Sequence, residues 1–421
     1  MAHINSNVQV RTVALADDKN TLGIAEQIAL LALLISLVAM SIDAILPALP
    51  NIGSDLAVID ANAPQFLISA LLIGLTLGQL VYGPISDSYG RRGPIIVGLM
   101  IFLVGSVICA AASDFETVLI GRVVQGVGAA GPRVVAIALV RDQYSGAAMA
   151  RIMSFVMAVF ILVPAFAPLI GELVMDIAGS WRAIFAMFFL HAGLATLWFV
   201  LRQLETHPTE KRRTLTLSRT LSDMGRCLAH PVSRGYAVAA GLVFGSFVGF
   251  LTSVQQIFTT TLGDPDNFTT AFAVLALSIG AASITNSQLV MQLGMQRLSS
   301  FALAGLIVLS FAGWLVSLSL ANGTPVWMFM ALMMPTSFCF GILFGNFNAL
   351  AMEPMQTIAG SASAIIASMT SLIAVSFGTL VGQAFDGTAA PMFAGFLIAG
   401  VGATLILRYT EGVRSQAAEH V

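Results

Sequence analysis

Apolar positions along this chain fall in long unbroken runs, not in the alternation of half-buried strands or the narrow stripe of surface helices. Runs of about 20 residues or more, enough to cross a bilayer as a helix, recur from end to end. Twelve can be read, at roughly 26–50, 63–86, 94–112, 116–140, 150–174, 182–201, 235–262, 268–293, 298–320, 325–352, 356–382 and 390–409. Most polar gaps between them are short. The exception is an Arg- and Thr-rich stretch from Arg202 to Arg234. The pattern predicts an all-α membrane protein with twelve transmembrane helices in two six-helix halves. The expected divisions are an N-terminal segment 1–25, a first half 26–201, a linker 202–234, a second half 235–410 and a tail 411–421. Six spans, a linker and six more is the layout of transporters built from two parallel halves, with the substrate site between them near mid-membrane.

Charge placement gives the pattern an orientation. All of the 19 Lys and Arg except Arg122, Arg133 and Arg182 precede the first run, lie in alternate gaps or follow the last run. Arg91 and Arg92 separate spans 2 and 3, Arg141 and Arg151 spans 4 and 5, and seven basic residues fill the central linker. The other gaps carry Asp55, Asp60, Asp114, Glu116, Asp176, Asp264, Asp266 and Asp386. By the positive-inside rule both termini and the linker are expected in the cytoplasm. Only the gap between spans 10 and 11, with Glu353 and no basic residue, adds nothing to the alternation. Composition agrees, with 57% hydrophobic and 10% charged residues and a mean hydropathy of +0.90. The first apolar run is too long for a signal-peptide core and reads as a retained span. Cys109, Cys227 and Cys339 suggest no disulfide, and the scattered His residues have no metal spacing. No arrangement has the look of a hydrolase or redox site, so an enzyme, a cofactor and a metal are not expected, nor is a nucleic-acid partner.

The segment after span 2 reads Gly83-Pro84-Ile85-Ser86-Asp87-Ser88-Tyr89-Gly90-Arg91-Arg92-Gly93-Pro94. It resembles the loop 2–3 signature of the major facilitator superfamily, G-x-x-x-D-(R/K)-x-G-(R/K)-(R/K). Gly83, Asp87, Gly90, Arg91 and Arg92 match, and Ser88 departs from the usual basic residue. Physically, the glycines permit a tight turn and close helix approach. Asp87 can accept from a neighbouring helix N-terminus and pair with an Arg. Such a cluster is expected to latch the cytoplasmic side in one state.

Three further strings narrow the resemblance to the drug:proton antiporter branch and its Bcr/CflA-type exporters. Span 4 carries Arg122-Val123-Val124-Gln125-Gly126-Val127-Gly128-Ala129-Ala130, similar to R-x-x-Q-G-x-G-A-A. Span 5 carries Pro164, Pro168 and Gly171, and resembles the antiporter G-P-x-x-G-G motif with Ala167 and Glu172 in place of glycines. Span 1 ends Asp43-Ala44-Ile45-Leu46-Pro47-Ala48-Leu49-Pro50, resembling D-x-x-x-P-A-L-P. The resemblance implies a proton-coupled multidrug efflux transporter of a bacterial inner membrane, handling a small-molecule substrate and protons within the lipid bilayer and working as a monomer. The alternative within transport is an exporter of one endogenous metabolite.

At 1.5 Å per residue, Asp43 and Arg122 come out about 25 and 28 Å from the cytoplasmic face. A carboxylate and a cation at one depth suit proton coupling, because the affinity of a cavity carboxylate for its proton depends on burial and on nearby charge. Asp43 also has a capping reading before Pro47, and Arg122 a packing one against backbone carbonyls. Glu172 and His191 are the alternative proton carriers. Pro164, Pro168 and Gly171 read as a kink and a close-packing point that can seal the outer cavity. Gln125, Gln255 and Asn346 are intramembrane amides and candidate substrate-cavity residues, with Phe and Met side chains offering adaptable apolar surface.

Overall fold

The computed structural model describes residues 22–144, 146–212, 217–320 and 323–419. Among these residues every regular element is helical. The first half runs α1 (Ile24–Asp43), α2 (Leu49–Asp55), α3 (Phe66–Tyr89), α4 (Arg92–Ala111), α5 (Phe115–Gln143), α6 (Gly146–Ala178) and α7 (Arg182–Arg202). A short helix, α8 (Leu217–Ala229), leads into α9 (Pro231–Gln256), α10 (Phe268–Leu293), α11 (Met295–Leu320), α12 (Val326–Met352), α13 (Ala359–Gln383) and α14 (Ala390–Glu419). Eleven of the twelve membrane-length segments are long and apolar enough throughout to cross a bilayer, and α6 adds a helix of 33 residues.

The structure differs from the sequence reading in three places. Span 1 is broken. α1 stops at Asp43, a turn and a 3-10 segment (Leu46–Ala48) follow, and α2 resumes at Leu49. Pro47 and Pro50 lack N–H donors, so the i→i−4 ladder cannot run through them. Span 7 continues past Gln256 in a wide-turn segment, Ile257–Thr261. The linker, expected as loop, contains α8, in which Leu217, Leu221, Met224 and Leu228 recur at helical spacing between charged positions. Cys227 of α8 lies buried with its Sγ 3.9 Å from Met355 Sδ. Arg11, Lys19 and Arg213 lie outside the described residues.

α1 and α3–α7 pack among themselves, as do α9–α14, and the two groups meet along α3/α13 and α6/α10. Within the first group several contacts are backbone to backbone. A Cβ at Gly126 would stand 2.0 Å from the Leu71 carbonyl, one at Gly74 2.1 Å from the Val123 carbonyl, and one at Gly128 2.3 Å from the Phe102 nitrogen. Small residues of this kind let membrane helices pack closely where no hydrophobic force distinguishes helix from lipid.

Candidate functional site

Asp43 is the last residue of α1 and is 4% exposed. Among the described residues it has no hydrogen-bond or ion-pair partner. Arg122, fully buried on α5, does not reach it. Its guanidinium donates from Nε to the Leu67 carbonyl (3.0 Å), from Nη2 to the Ser41 carbonyl (2.8 Å) and from Nη1 to Gln125 Oε1 (3.0 Å). One planar fork thus ties α3, α1 and its own helix. Asp43 and Arg122 are expected at one depth, but no bond joins them: the broken end of α1 offers the Ser41 carbonyl to the cation, in keeping with the packing reading of Arg122.

Gly171 of α6 completes this junction. A Cβ there would lie 1.9 Å from the Ala44 carbonyl, so only glycine lets α6 touch the chain where α1 breaks. Pro164 and Pro168 lie inside the continuous helix α6, with Pro168 buried. Glu172 is half-buried on the same helix. His191 of α7 is within 3.3 Å of Ser36 Oγ and 3.2 Å of the Leu33 carbonyl, against α1.

The loop 2–3 signature folds into a charge cluster. Arg91 donates to Asp87 (2.6 Å), Asp142 (2.7 Å) and Ser86 (2.8 Å), and His207 Nδ1 lies 3.5 Å from Asp142. Burial pulls the Arg91 guanidinium down, but Asp142 and Asp87 outweigh it and hold it above its ordinary value. Asp87 does not cap a helix, as the sequence suggested. The N-terminus of α4 is taken by Glu205, whose carboxylate accepts from the backbone N–H groups of Arg91 (2.8 Å), Arg92 (3.0 Å), Thr206 (3.0 Å) and His207 (2.9 Å). Burial raises its carboxyl affinity for a proton, yet these donors prevail and hold it below the usual carboxylate range. Gly90, at φ +96°, makes the turn that lets Glu205 approach; a Cβ there would stand 2.4 Å from Glu205 Oε2. Gly83, by contrast, sits within α3 and makes no turn. Arg92 donates to the Val200 carbonyl at 2.8 Å. All these bonds lie on the first half and the segment just after it.

The three candidate cavity amides separate. Gln125 is buried between α4 and α5. Its Oε1 holds Arg122 and its Nε2 donates to Ser106 Oγ at 2.8 Å, so neither end is open to a ligand. Asn346 forms a reciprocal amide pair with Asn286, at 3.0 and 2.9 Å. Gln255 lies far along α9, near the end opposite the termini. On α9 and α12, Phe244, Phe247 and Phe344 are half-buried, with Phe344 5.5 Å from each of the other two rings.

Among the described residues, the side-chain bonds that cross between the halves gather at the end away from the termini. Asn62 donates to the Gln383 (3.2 Å) and Phe385 (2.9 Å) carbonyls, and Gln383 returns a bond to the Asn62 carbonyl (2.9 Å). Gln256 donates to the Ala61 carbonyl (2.6 Å) and Asn62 Oδ1 (3.2 Å) and accepts from Gln65. Ser69 and Thr379 hydroxyls meet at 2.7 Å. This amide clasp carries no charge, so the charge-based reading of the sequence could not find it.

The sequence profile of the Major Facilitator Superfamily matches residues 31–379. An uncharacterized MFS-type transporter, YdgK of Bacillus subtilis, is 28% identical, covering 86% of this chain and 90% of its own. The bicyclomycin resistance protein homolog of Haemophilus influenzae is 29% identical, covering 86% and 90%. The multidrug resistance protein MdtL of Salmonella paratyphi A is 28% identical, covering 92% and 95%. Among solved structures, a D-xylose-proton symporter superposes with a TM-score of 0.71 at 15% identity, covering 91% of this chain and 97% of that one.

Proposed function

Since the chain belongs to the Major Facilitator Superfamily, we propose that it exports small amphipathic drugs or toxic compounds across a bacterial inner membrane in exchange for protons. On this reading the termini are cytoplasmic, the halves 26–201 and 235–410 rock about a central cavity, and the amide clasp closes the outer side. Asp43 carries the proton. Arg122 positions it by gripping the Ser41 carbonyl, and the Arg91 cluster with Glu205 steadies the cytoplasmic end of the first half.

The observation that carries the proposal is Asp43 itself, buried and unpaired at the break in α1, between a carbonyl held by Arg122 and one touched by Gly171. An ionised carboxylate is costly to bury without a partner. Its proton occupancy and the conformation around it therefore depend on each other, which is what coupling requires. The drug-directed part draws on the names of the bicyclomycin and multidrug resistance relatives and on the aromatic surface of α9 and α12, which suits apolar, stackable substrates.

Asp43→Asn removes the titratable group at nearly constant size. In proteoliposomes under an imposed pH gradient it is expected to abolish proton-driven efflux while keeping substrate binding. Wild-type rates in Asp43→Asn would transfer the role to Glu172 or His191. Wild-type efflux indifferent to the gradient would refute antiport. Susceptibility profiling of an overexpressing strain is expected to show protection against several unrelated drugs; protection against none, with one metabolite appearing outside, would replace the substrate class.

A further inference from the structure

α5 carries a second arginine within the span. Arg133 lies eight residues before Arg141, about 12 Å from the helix end nearer the termini. It follows Arg122 by eleven residues, close to three full turns, so the two cations share one side of α5. From that side Arg122 reaches Ser41 of α1 and Leu67 of α3 and is saturated. Arg133 has no hydrogen-bond or ion-pair partner among the described residues. It is half-buried, with none of its nitrogens sealed off. The carboxylates of α1 lie elsewhere. Glu26 is held by Arg202 and Trp198, and Asp43 stands two residues beyond the carbonyl that Arg122 grips. An unpaired cation inside a span is costly, and such residues mark ligand paths.

Gln79 of α3 supplies a second free donor at this level. A Cβ on its neighbour Gly78 would stand 2.5 Å from Ala130 Cβ, three residues before Arg133. One on Gly83, a turn past Gln79 on the same face, would stand 3.3 Å from Ala364 of α13, so this face looks toward the second half. Gln79 is 2% exposed and makes no hydrogen bond among the described residues; its Oε1 is sealed and its Nε2 is not. Buried amides almost always find partners. Along one stripe of α5, Gly126 and Ala130 are buried, Arg133 is half-buried and Ile137 is 45% exposed. The space before Arg133 therefore widens toward the end that holds the termini, while the clasp closes the other end. Guanidinium and amide N–H groups only donate. The missing partner is an acceptor, and a carboxylate meets the guanidinium fork with two oxygens.

We propose that Arg133 and Gln79 select the exported compound, and that the preferred substrates are amphipathic monocarboxylates. The carboxylate takes the Arg133 fork and the Gln79 amide. The apolar body lies toward Phe244, Phe247 and Phe344. Phe344 stands eight residues before Met352, the end of α12, so ring and cation lie at matching depth, each about 12 Å in. The inference deepens the export reading by naming its substrate class and rests on it for the direction of transport.

Equilibrium binding of radiolabelled 4-phenylbutyrate to the purified full chain in detergent reads the site without a gradient. Wild type is expected to bind it saturably, and unlabelled 4-phenylbutanol and 4-phenylbutylamine are expected not to displace it. Arg133→Gln is expected to raise the Kd about tenfold, the effect of one lost charge-assisted pair. Arg133→Lys keeps the charge without the fork and should fall between. Gln79→Leu is expected to raise the Kd about threefold, for one neutral bond. Because Arg133 has no bond to lose, Arg133→Gln should melt with wild type in the absence of ligand. No saturable binding by wild type, displacement by the alcohol as strong as by the acid, or wild-type affinity in Arg133→Gln overturns the acid site. A fall in the melting temperature of Arg133→Gln that accounts for its lost binding makes the arginine structural and overturns it too. Intact binding with phenylbutyrate efflux from proteoliposomes indifferent to a pH gradient overturns proton-coupled export instead, and leaves the acid site standing.

Discussion

Arg122 donates to the carbonyl of Ser41 at 2.8 Å, two residues before Asp43. The cation therefore holds the backbone that carries the carboxylate and leaves the carboxylate alone. Arg122→Ala strands the Leu67 and Ser41 carbonyls at a fully buried position, at a cost on the order of 3 kcal/mol for the pair. Arg122→Lys keeps the charge but cannot serve three acceptors with one fork. The melting temperature in detergent is expected to fall for both, most for Ala, and efflux to follow the same order. An unchanged melting temperature in Arg122→Ala would deny the tethering role.

Gly171 and Gly126 are expected to tolerate no side chain. Gly171→Val and Gly126→Val place atoms about where the Ala44 and Leu71 carbonyls stand, at 1.9 and 2.0 Å from the first added carbon. Folded yield on size-exclusion chromatography should collapse in both. Gly93→Ala is the control, because nothing lies within 4 Å of its added Cβ.

Gln256→Ala removes two donors and one acceptor from the clasp. At about 1 kcal/mol net per bond, the balance between conformations should move by a factor of roughly 5 to 30 for one to two bonds' worth of free energy. Distance measurements between spin labels at the clasp ends of α3 and α13 are expected to show a larger open population. No change in the distribution would show that the clasp does not set the balance.

Glu205 predicts a pH dependence. Its carboxyl is held below the ordinary value in the fold, so its contribution to stability is complete above the unfolded value of about 4.3 and disappears as pH falls through the lower folded value. Glu205→Gln should therefore melt earlier than wild type at neutral pH, with the gap narrowing in acid below about pH 4.3. A gap that stays constant into acid would exclude the carboxylate as its source.

The twelve spans were legible because a bilayer-spanning helix writes itself as a continuous apolar run. The shared depth of Asp43 and Arg122 follows from counting residues along straight helices. Their lack of contact does not, since the break after Asp43 redirects both the carboxylate and the carbonyls that Arg122 takes. Glu205 carries no cap signal in its own stretch of sequence. Its role as the cap of α4 depends on the end of α7 folding back beside Gly90, a contact more than 110 residues apart in sequence. Gln125 and Gln255 look alike in the sequence as intramembrane amides. Helix rotation alone decides that one is saturated by Arg122 and Ser106 and the other is buried with its Oε1 unpartnered.

The glycine contacts of α3, α4 and α5 bring backbones together with few intervening side chains to compress. Such a splice has few soft degrees of freedom. A displacement imposed at the Arg91 cluster on one end of α3 would arrive at Asn62 and Gln65 on the other almost undiminished, as through a stiff lever. Timing between the two membrane faces then depends on the rigidity of one three-helix plate, and the amides at its far end work as a spring catch.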